Sequence, residues 1–512
     1  MLRRIRAGIA LAVLVLATVA FLDFGRLLPA GLAGLAARLQ LAPAAIRLPA
    51  SSAALLLSGI AIATLLVGRV YCSTLCPLGT LQDLFIRLGD LRHRRGRYRF
   101  RRLPPRAGLH LSAAALATAL AGGGSFLLLG FLEPYSGFGR IVSAALRPLA
   151  AAGLNGISRA LSARHLYALA PVTPPSSSPG ELGVALGSLV AIAALALGRG
   201  RLFCNLLCPA GAVLRLLSLR TALRLRIDER RCDGCGVCEK SCKAGCIDAG
   251  RRRIDFSACI GCFDCLDVCP RDGVRLGPTF APTEPEHEQA ERTPDRSRRA
   301  LLKAAVLAPA ALFAPAAHPP ADPRDAREPI TPPGSGNRRR FTARCTACHL
   351  CVAACPTQVL RPALLSYGAA GLLEPRLVYD HGSCVYDCTR CGEVCPTGAI
   401  SRLPLSEKHL AQVGRARFVR DDCIVVLKHT VCGACAEHCP TKAIAMVPIA
   451  GQSLLRLPEV NEEVCIGCGA CEHPCPTQPR RAIYVEARLA HGTAKRLEAT
   501  PLGETLDSGF PF

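Results

Sequence analysis

The sequence predicts a multi-domain chain, an α-helical bundle of four membrane spans joined to small α+β modules, and three observations predict it. Long Leu, Ala and Val runs with few charges fill the first two hundred residues, whereas the remainder is polar and proline-rich. Half of the 512 residues are hydrophobic and the mean hydropathy is +0.29, values that suit membrane spans combined with soluble modules and not one compact globule. Finally, there are 29 cysteines, and most recur as Cys-x2-Cys-x2-Cys-x3-Cys, usually followed by proline.

The spans come first along the chain. Candidates are residues 6–22, 52–68, 108–131 and 182–198, each near the ~20 residues that a bilayer requires. The segment 69–106 carries ten arginines, against three in 23–51 and four in 133–181. Positive-inside logic therefore places both ends of the bundle in the cytoplasm. A cleavable signal peptide at the first span is the alternative, but the loop charges require an even number of spans.

The bundle contains an internal repeat. "GRVYCSTLCPLG" at 68–79 parallels "GRGRLFCNLLCPAG" at 198–211, and "FLDFGR" at 21–26 parallels "FLEPYSGFGR" at 131–140. Each half reads as a helix ending in an acid, a loop, and a helix ending in Cys-x3-Cys-Pro. Cys72, Cys76, Cys204 and Cys208 are then expected together at the cytoplasmic face, as a metal or thiol redox site, or else as small apolar side chains packed between helices. Asp23 and Glu133 are expected at the opposite face, as proton acceptors in quinol oxidation or as solvated helix ends.

The cysteine runs specify the cofactor. The Cys-x2-Cys-x2-Cys-x3-Cys-Pro grammar is the bacterial 4Fe–4S signature, in which three closely spaced thiolates wrap one corner of a cubane and the fourth crosses to a neighbouring cluster. Six runs are present. Cys232, Cys235, Cys238 and Cys242, with Cys259, Cys262, Cys265 and Cys269, make a compact pair. Four more follow: Cys345, Cys348, Cys351 and Cys355; Cys384, Cys388, Cys391 and Cys395, with its first gap lengthened; Cys423, Cys432, Cys435 and Cys439; and Cys465, Cys468, Cys471 and Cys475. The α+β modules are thus ferredoxin modules, one with two clusters and one with four.

Zinc ribbons use pairs of Cys-x2-Cys and lack this triplet. The string Cys345-Thr346-Ala347-Cys348-His349 matches a haem attachment site, but the ferredoxin register runs through it to Cys351 and Cys355. Cys242 is followed by Lys243, and Cys246 lies four residues on; spacing favours Cys242 as the ligand. The net charge of +24 overstates the basicity, because each all-thiolate cluster carries about −2. Nucleic acid is not expected as a partner, and no nucleotide-binding glycine loop, flavin motif or independent dehydrogenase site is visible.

Residues 1 to about 280 resemble NapH-type membrane ferredoxins, the group that includes MauN-like and NosR-like proteins, through their spans, paired Cys-x3-Cys-Pro motifs and two-cluster tail. Residues from about 295 to 490 resemble NapG-type and MauM-type exported ferredoxins: "SRRALLK" at 297–303 is similar to a twin-arginine export signal, and four cluster motifs follow it. The resemblance implies a fused quinol-dehydrogenase-like component of the bacterial inner membrane. It would relay electrons from the quinone pool to a terminal reductase or cytochrome, with the last module periplasmic. It equally implies an alternative, a redox maturation or assembly factor for a partner metalloenzyme.

The expected division is a membrane domain, 1–222; a two-cluster domain, 223–280; a linker, 281–297; the twin-arginine-like helix, 298–317; a proline-rich linker, 318–340; a four-cluster domain, 341–490; and a tail, 491–512. The helix at 298–317 would give the last module its crossing, with clusters inserted beforehand in the cytoplasm. "APAAH" at 314–318 resembles a cleavage site. Retention of the last module in the cytoplasm, with 296–317 as a tether, is the other reading.

Overall fold

Runs rich in Leu and Ala, good helix formers, make up the helices of the first two hundred residues. The computed structural model describes residues 1–25, 28–48, 51–92, 110–115, 127–174, 178–279, 328–368, 371–449 and 452–496. The twin-arginine-like segment, the linker 281–297 and residues 318–327 lie outside these residues, whereas 328–340 pack into the second module, with Ile330 bridged to Leu377 and a helix at Arg338–Thr342.

Among the described residues three helices are long and apolar enough to cross a membrane: Leu2–Leu22, Pro134–Ser162 and Pro179–Arg199. Ser51–Val67 is apolar but shorter, with 17 residues. The span expected at 108–131 is described only in its helical ends, 110–115 and 127–131.

The helix Pro134–Ser162 falls in a segment expected to be a connection, and its contacts keep it at one end of the bundle. Gly139 packs on the Cys348 carbonyl, Ser143 Oγ lies 3.3 Å from His349 Nδ1, and Arg147 is within electrostatic reach of Cys355. Successive turns from Gly139 to Arg147 thus follow a single cysteine run. A π-helical turn at Val142–Leu146 interrupts it.

Each Cys-x3-Cys-Pro motif lies between helices, not at the end of one as expected. Gly68 and Gly200 adopt positive φ (84° and 66°) and stop the preceding helix. Short helices, Tyr71–Thr74 and Leu202–Leu206, carry the first cysteine of each pair. The following proline then starts a new helix, Pro77–Arg92 or Pro209–Ser218.

The soluble modules are small α+β units. In the first, Leu223–Ile227 pairs antiparallel with Val274–Pro278, and Ile247–Asp248 with Arg253–Ile254. The second contains three antiparallel pairs: Leu360–Ala363 with Glu374–Leu377, Ala411–Phe418 with Ile483–Thr493, and Ile444–Ile449 with Gln452–Val460.

Two helices of 21 residues, each about 30 Å long, carry these modules at opposite ends. At the start of Leu2–Leu22, Arg3 Nε pairs with Asp264 Oδ1 of the first module at 3.1 Å. At its end, Phe21 packs with Tyr135 and Phe138 beneath Cys348 of the second. Pro179–Arg199 runs the other way. Its Glu181 meets His349 Nδ1 of the second module at 3.6 Å, and beyond its far end Arg201 N donates to the Lys243 carbonyl of the first.

Candidate iron–sulfur sites

The structure gathers the 24 motif cysteines into six sets of four, and in every set the fourth thiol comes from the neighbouring run. Cys232, Cys235 and Cys238 line a pocket with Cys269, and a second pocket is lined by Cys259, Cys262, Cys265, Cys242 and Cys246. In the second module Cys395 joins Cys345, Cys348 and Cys351, and Cys355 joins Cys384, Cys388 and Cys391. Cys475 joins Cys423, Cys432 and Cys435, and Cys439 joins Cys465, Cys468 and Cys471.

Backbone conformation aims these sulfurs. In the four runs with regular Cys-x2-Cys spacing, the residue before and the residue after the second cysteine both have positive φ: Gly234 and Gly236, Gly261 and Phe263, Ala347 and His349, Gly467 and Gly469. That reversal turns successive N–H groups inward as an anion-binding nest. The two irregular runs do without it, Thr389 and Gly433 having φ of −120° and −133°. After the fourth cysteine, main-chain N–H groups donate to the ligand sulfur, Gly273 N to Cys269 at 3.2 Å and Ala443 N to Cys439 at 3.3 Å.

These donors fit a polynuclear iron–sulfur group. No three His, Cys, Asp or Glu side chains among the described residues converge to hold a single ion. Burial pushes the free thiols up, Cys384 and Cys435 to about 11 and Cys348 and Cys468 to about 12, so loading the sites expels protons.

Cys246 is a fifth thiol beside the second set. Its sulfur is 3.5 Å from that of Cys242, and it also hydrogen-bonds Cys259. Cys262 and Cys265 are both within electrostatic reach of Cys242, whereas Cys246 is confined to the Cys242–Cys259 edge. Both thiols line the second pocket, and Cys242 is the one within reach of all three of Cys259, Cys262 and Cys265. The Cys242 thiol is held down to about 7, chiefly by the bond from Cys246.

His349, of the haem-like string, is a docking residue. It is buried between the helices, and its Nε2–H donates to the Leu373 carbonyl at 2.9 Å.

The two acids of the repeat both lie at the end of the bundle under the second module. Glu133 is fully buried and N-caps the helix Pro134–Ile141, accepting from Tyr135 N at 3.0 Å and from Ser136 N. It is within electrostatic reach of Cys348. Asp23 accepts from Leu28 N at 3.0 Å and faces Arg147.

Cys72, Cys76, Cys204 and Cys208 come together as expected, but in the interior of the protein, all four buried. Cys72 is pushed up to about 11 by burial. Two buried residues at this site escaped the sequence reasoning, Arg69 and Arg201. Both are fully buried, and each reaches into the opposite repeat. The signal was available, since Gly-Arg precedes each motif at identical spacing.

Comparisons with known proteins agree with this geometry. A family model described as a 4Fe-4S binding domain matches residues 50–98 and 182–226. Models described as 4Fe-4S dicluster domains match 224–270, and 344–399 with 430–478. The electron transport protein YccM of Escherichia coli is 28% identical over 40% of this chain and 50% of its own length. MauM, a methylamine utilization ferredoxin-type protein of Methylophilus methylotrophus, is 31% identical over 28% of this chain and 66% of its own. The ferredoxin-type protein NapG of Escherichia coli is 27% identical, over 27% and 62%.

The chain spans 27% of an uncharacterised relative from Methanocaldococcus jannaschii and half of YccM. No solved structure matches. With its cysteines gathered in fours and these matches along both halves, the chain contains several ferredoxin-type 4Fe–4S-binding domains.

Proposed function

We propose that the protein is a membrane-embedded electron conduit with six 4Fe–4S clusters, taking electrons from quinol and delivering them to a reductase or cytochrome outside the inner membrane. One observation carries this reading: the ferredoxin modules occupy opposite ends of helices about as long as a bilayer's apolar core is thick. When bound, the clusters supply one-electron redox chemistry; the cysteines hold them, and buried walls and N–H donors tune them.

The second module then faces the periplasm. The chain leaves one module at Thr279 and enters the other at Glu328, at opposite ends of the bundle, and the sequence 300–317 is long enough to supply the crossing between them. Twin-arginine export suits a module that must carry finished clusters across. Asp23 and Glu133 lie at that same end, where Glu133, beside Cys348, takes the quinol proton.

The test uses the purified full chain in liposomes, kept anaerobic. A short-chain quinol should bleach the cluster absorbance, and Glu133→Gln should slow this on the order of 10²-fold with iron content unchanged. Reduction by dithionite but not by quinol would overturn the reading in favour of a maturation factor fed from the cytoplasm.

A further inference from the structure

The six sets leave the cysteines of the paired Cys-x3-Cys-Pro segments unused. We propose that Cys72, Cys76, Cys204 and Cys208 hold one more iron–sulfur centre, shared between the two repeats, that passes single electrons between the ferredoxin modules. The relay role rests on the conduit reading above; the site itself rests on the residues.

Position comes first. The centre lies between the two modules. On one side, Arg69 Nε donates to the Cys259 carbonyl at 3.3 Å and Ser73 Oγ to the Gly261 carbonyl at 3.1 Å, both in the second run of the first module. On the other, Tyr71 is within electrostatic reach of Cys76 and of Glu133, and Glu133 in turn of Cys348. Electron transfer falls off exponentially with distance. A gap on the order of the ~30 Å helix length is too wide for one step and needs a centre partway.

The repeat supplies the symmetry. Gly79 N donates to Cys76 Sγ at 3.4 Å, and Gly211 N to Cys208 Sγ at 3.3 Å, the kind of N–H···S bond that the six sets also use. A side chain at either glycine would collide with the carbonyl of the first cysteine in its own motif, Cys72 or Cys204. Each copy of the 4Fe-4S binding domain contains only two cysteines, Cys72 and Cys76 or Cys204 and Cys208. Neither can ligate a cluster alone, so the four are shared.

Charge supplies the third argument. Arg69 is fully buried, yet its hydrogen bonds go to neutral acceptors only, the Cys259 and Gly211 carbonyls and Asn205 Oδ1. Among the described residues it forms no ion pair. A guanidinium so placed needs a negative counterpart, and the thiolates of Cys72 and Cys259 are the nearest candidates. Arg201, donating to the Cys72 carbonyl at 2.9 Å, adds positive charge from the other repeat. Arg201 is itself paired with Asp83 at 2.8 Å, so Arg69 is the charge that an anionic thiolate centre answers.

The step is a single-electron exchange. A reduced cluster of one module gives an electron that converts one ferric iron of the centre to ferrous, and an oxidised cluster of the other module takes it away. No bond to the protein forms or breaks, and no proton leaves.

The full chain, purified anaerobically, is assayed for iron and acid-labile sulfide. The expected result is two or four atoms of each beyond what six four-iron clusters hold. That surplus, with its own EPR signal after dithionite, should vanish in C76S/C208S while the other signals persist. A wild-type count equal to six clusters overturns the proposal, as does one zinc, or a disulfide among these four cysteines found by mass spectrometry. Should the double variant fail to accumulate, the wild-type count decides, and Arg69→Gln should keep the surplus while lowering the centre's midpoint potential.

The relay is tested in the same samples. Quinol should bleach a smaller fraction of cluster absorbance in C76S/C208S than in wild type, and an equal fraction refutes it. If quinol reduces neither protein but the surplus is present, the quinol reading falls and the site stands.

Discussion

Threonine follows Cys-Pro in all four runs of the C-terminal module and in neither run of the first, which has Ala244 and Arg271 there. The hydroxyls differ in what they offer the ligand sulfur. Thr477 Oγ1 accepts from Ala482 N and lies 3.2 Å from Cys475 Sγ, so its proton is free for the sulfur. Thr357 gives its proton to the Ser383 carbonyl at 2.8 Å and is 4.0 Å from Cys355 Sγ. A donor to a thiolate ligand stabilises the extra charge of the reduced cluster and raises its potential. Thr477→Val should therefore lower one midpoint by tens of millivolts, on the order of a single charged hydrogen bond's differential worth, and Thr357→Val should leave all midpoints unmoved. An EPR-monitored redox titration reads both, and equal shifts would dismiss the mechanism.

At the scale of elements, the joint between the bundle and the first module is an ion cluster on the helix Pro77–Arg92. Asp83 receives Arg201 at 2.8 Å, Lys243 at 3.5 Å and Arg6 at 3.4 Å, tying three separated segments together. Burial works to raise its pKa, but Arg201, then Lys243 and Arg6, overcome that and hold the carboxyl well below the usual range. Asp83→Asn leaves a buried guanidinium without its partner, which typically costs about 3–5 kcal/mol. The variant should melt earlier and expose residues 223–278 to protease. Since the folded pKa is depressed, this stabilisation is complete above the ordinary carboxylate pKa of about 3.9 and disappears as pH falls through the folded value. Wild type should thus lose its advantage over D83N only in strong acid; an advantage that vanished near neutrality would refute the assignment.

The same joint shows how far sequence could reach. The repeat, the cysteine runs and the cofactor they fit are written in spacing, because cluster ligation fixes residue type and interval together. The repeated Gly-Arg before each motif singled Arg69 out by position but could not tell a buried guanidinium from a solvated one; its burial follows from the opposite repeat, 142 residues away at Gly211. Left-handed Phe263, Ala347 and His349 were equally hidden, as these residue types give no hint of positive φ. Pairing among the four C-terminal runs was open for a different reason. A fourth cysteine can reach whichever run folds beside it, and the Cys384 N–H donating to the Cys468 carbonyl shows that runs distant in sequence also meet.

For the molecule as a whole, that contact orders the second module as a line of sites. The set of Cys345 adjoins that of Cys384, which touches the set of Cys465, which neighbours that of Cys423. The line begins under the bundle, where docking is extensive. Arg140 donates to the Ala347 carbonyl at 3.5 Å, Arg38 Nη2 to the Glu393 carbonyl at 2.5 Å and Gln358 Nε2 to the Thr173 carbonyl at 2.8 Å, while Gly34, Gly130, Gly139 and Gly180 give the module close seats. None of these contacts depends on the covalent link through 280–327. A protease site inserted within 318–327, beyond the proposed crossing, should therefore leave the C-terminal module attached after cutting. After high-salt washing it should still sediment with the membrane fraction, because the seats are buried and the donors face neutral carbonyls, which salt screens little. Release into the supernatant would mean that the linker, and not the interface, holds the two halves in register, and the opposite-end arrangement would lose its support.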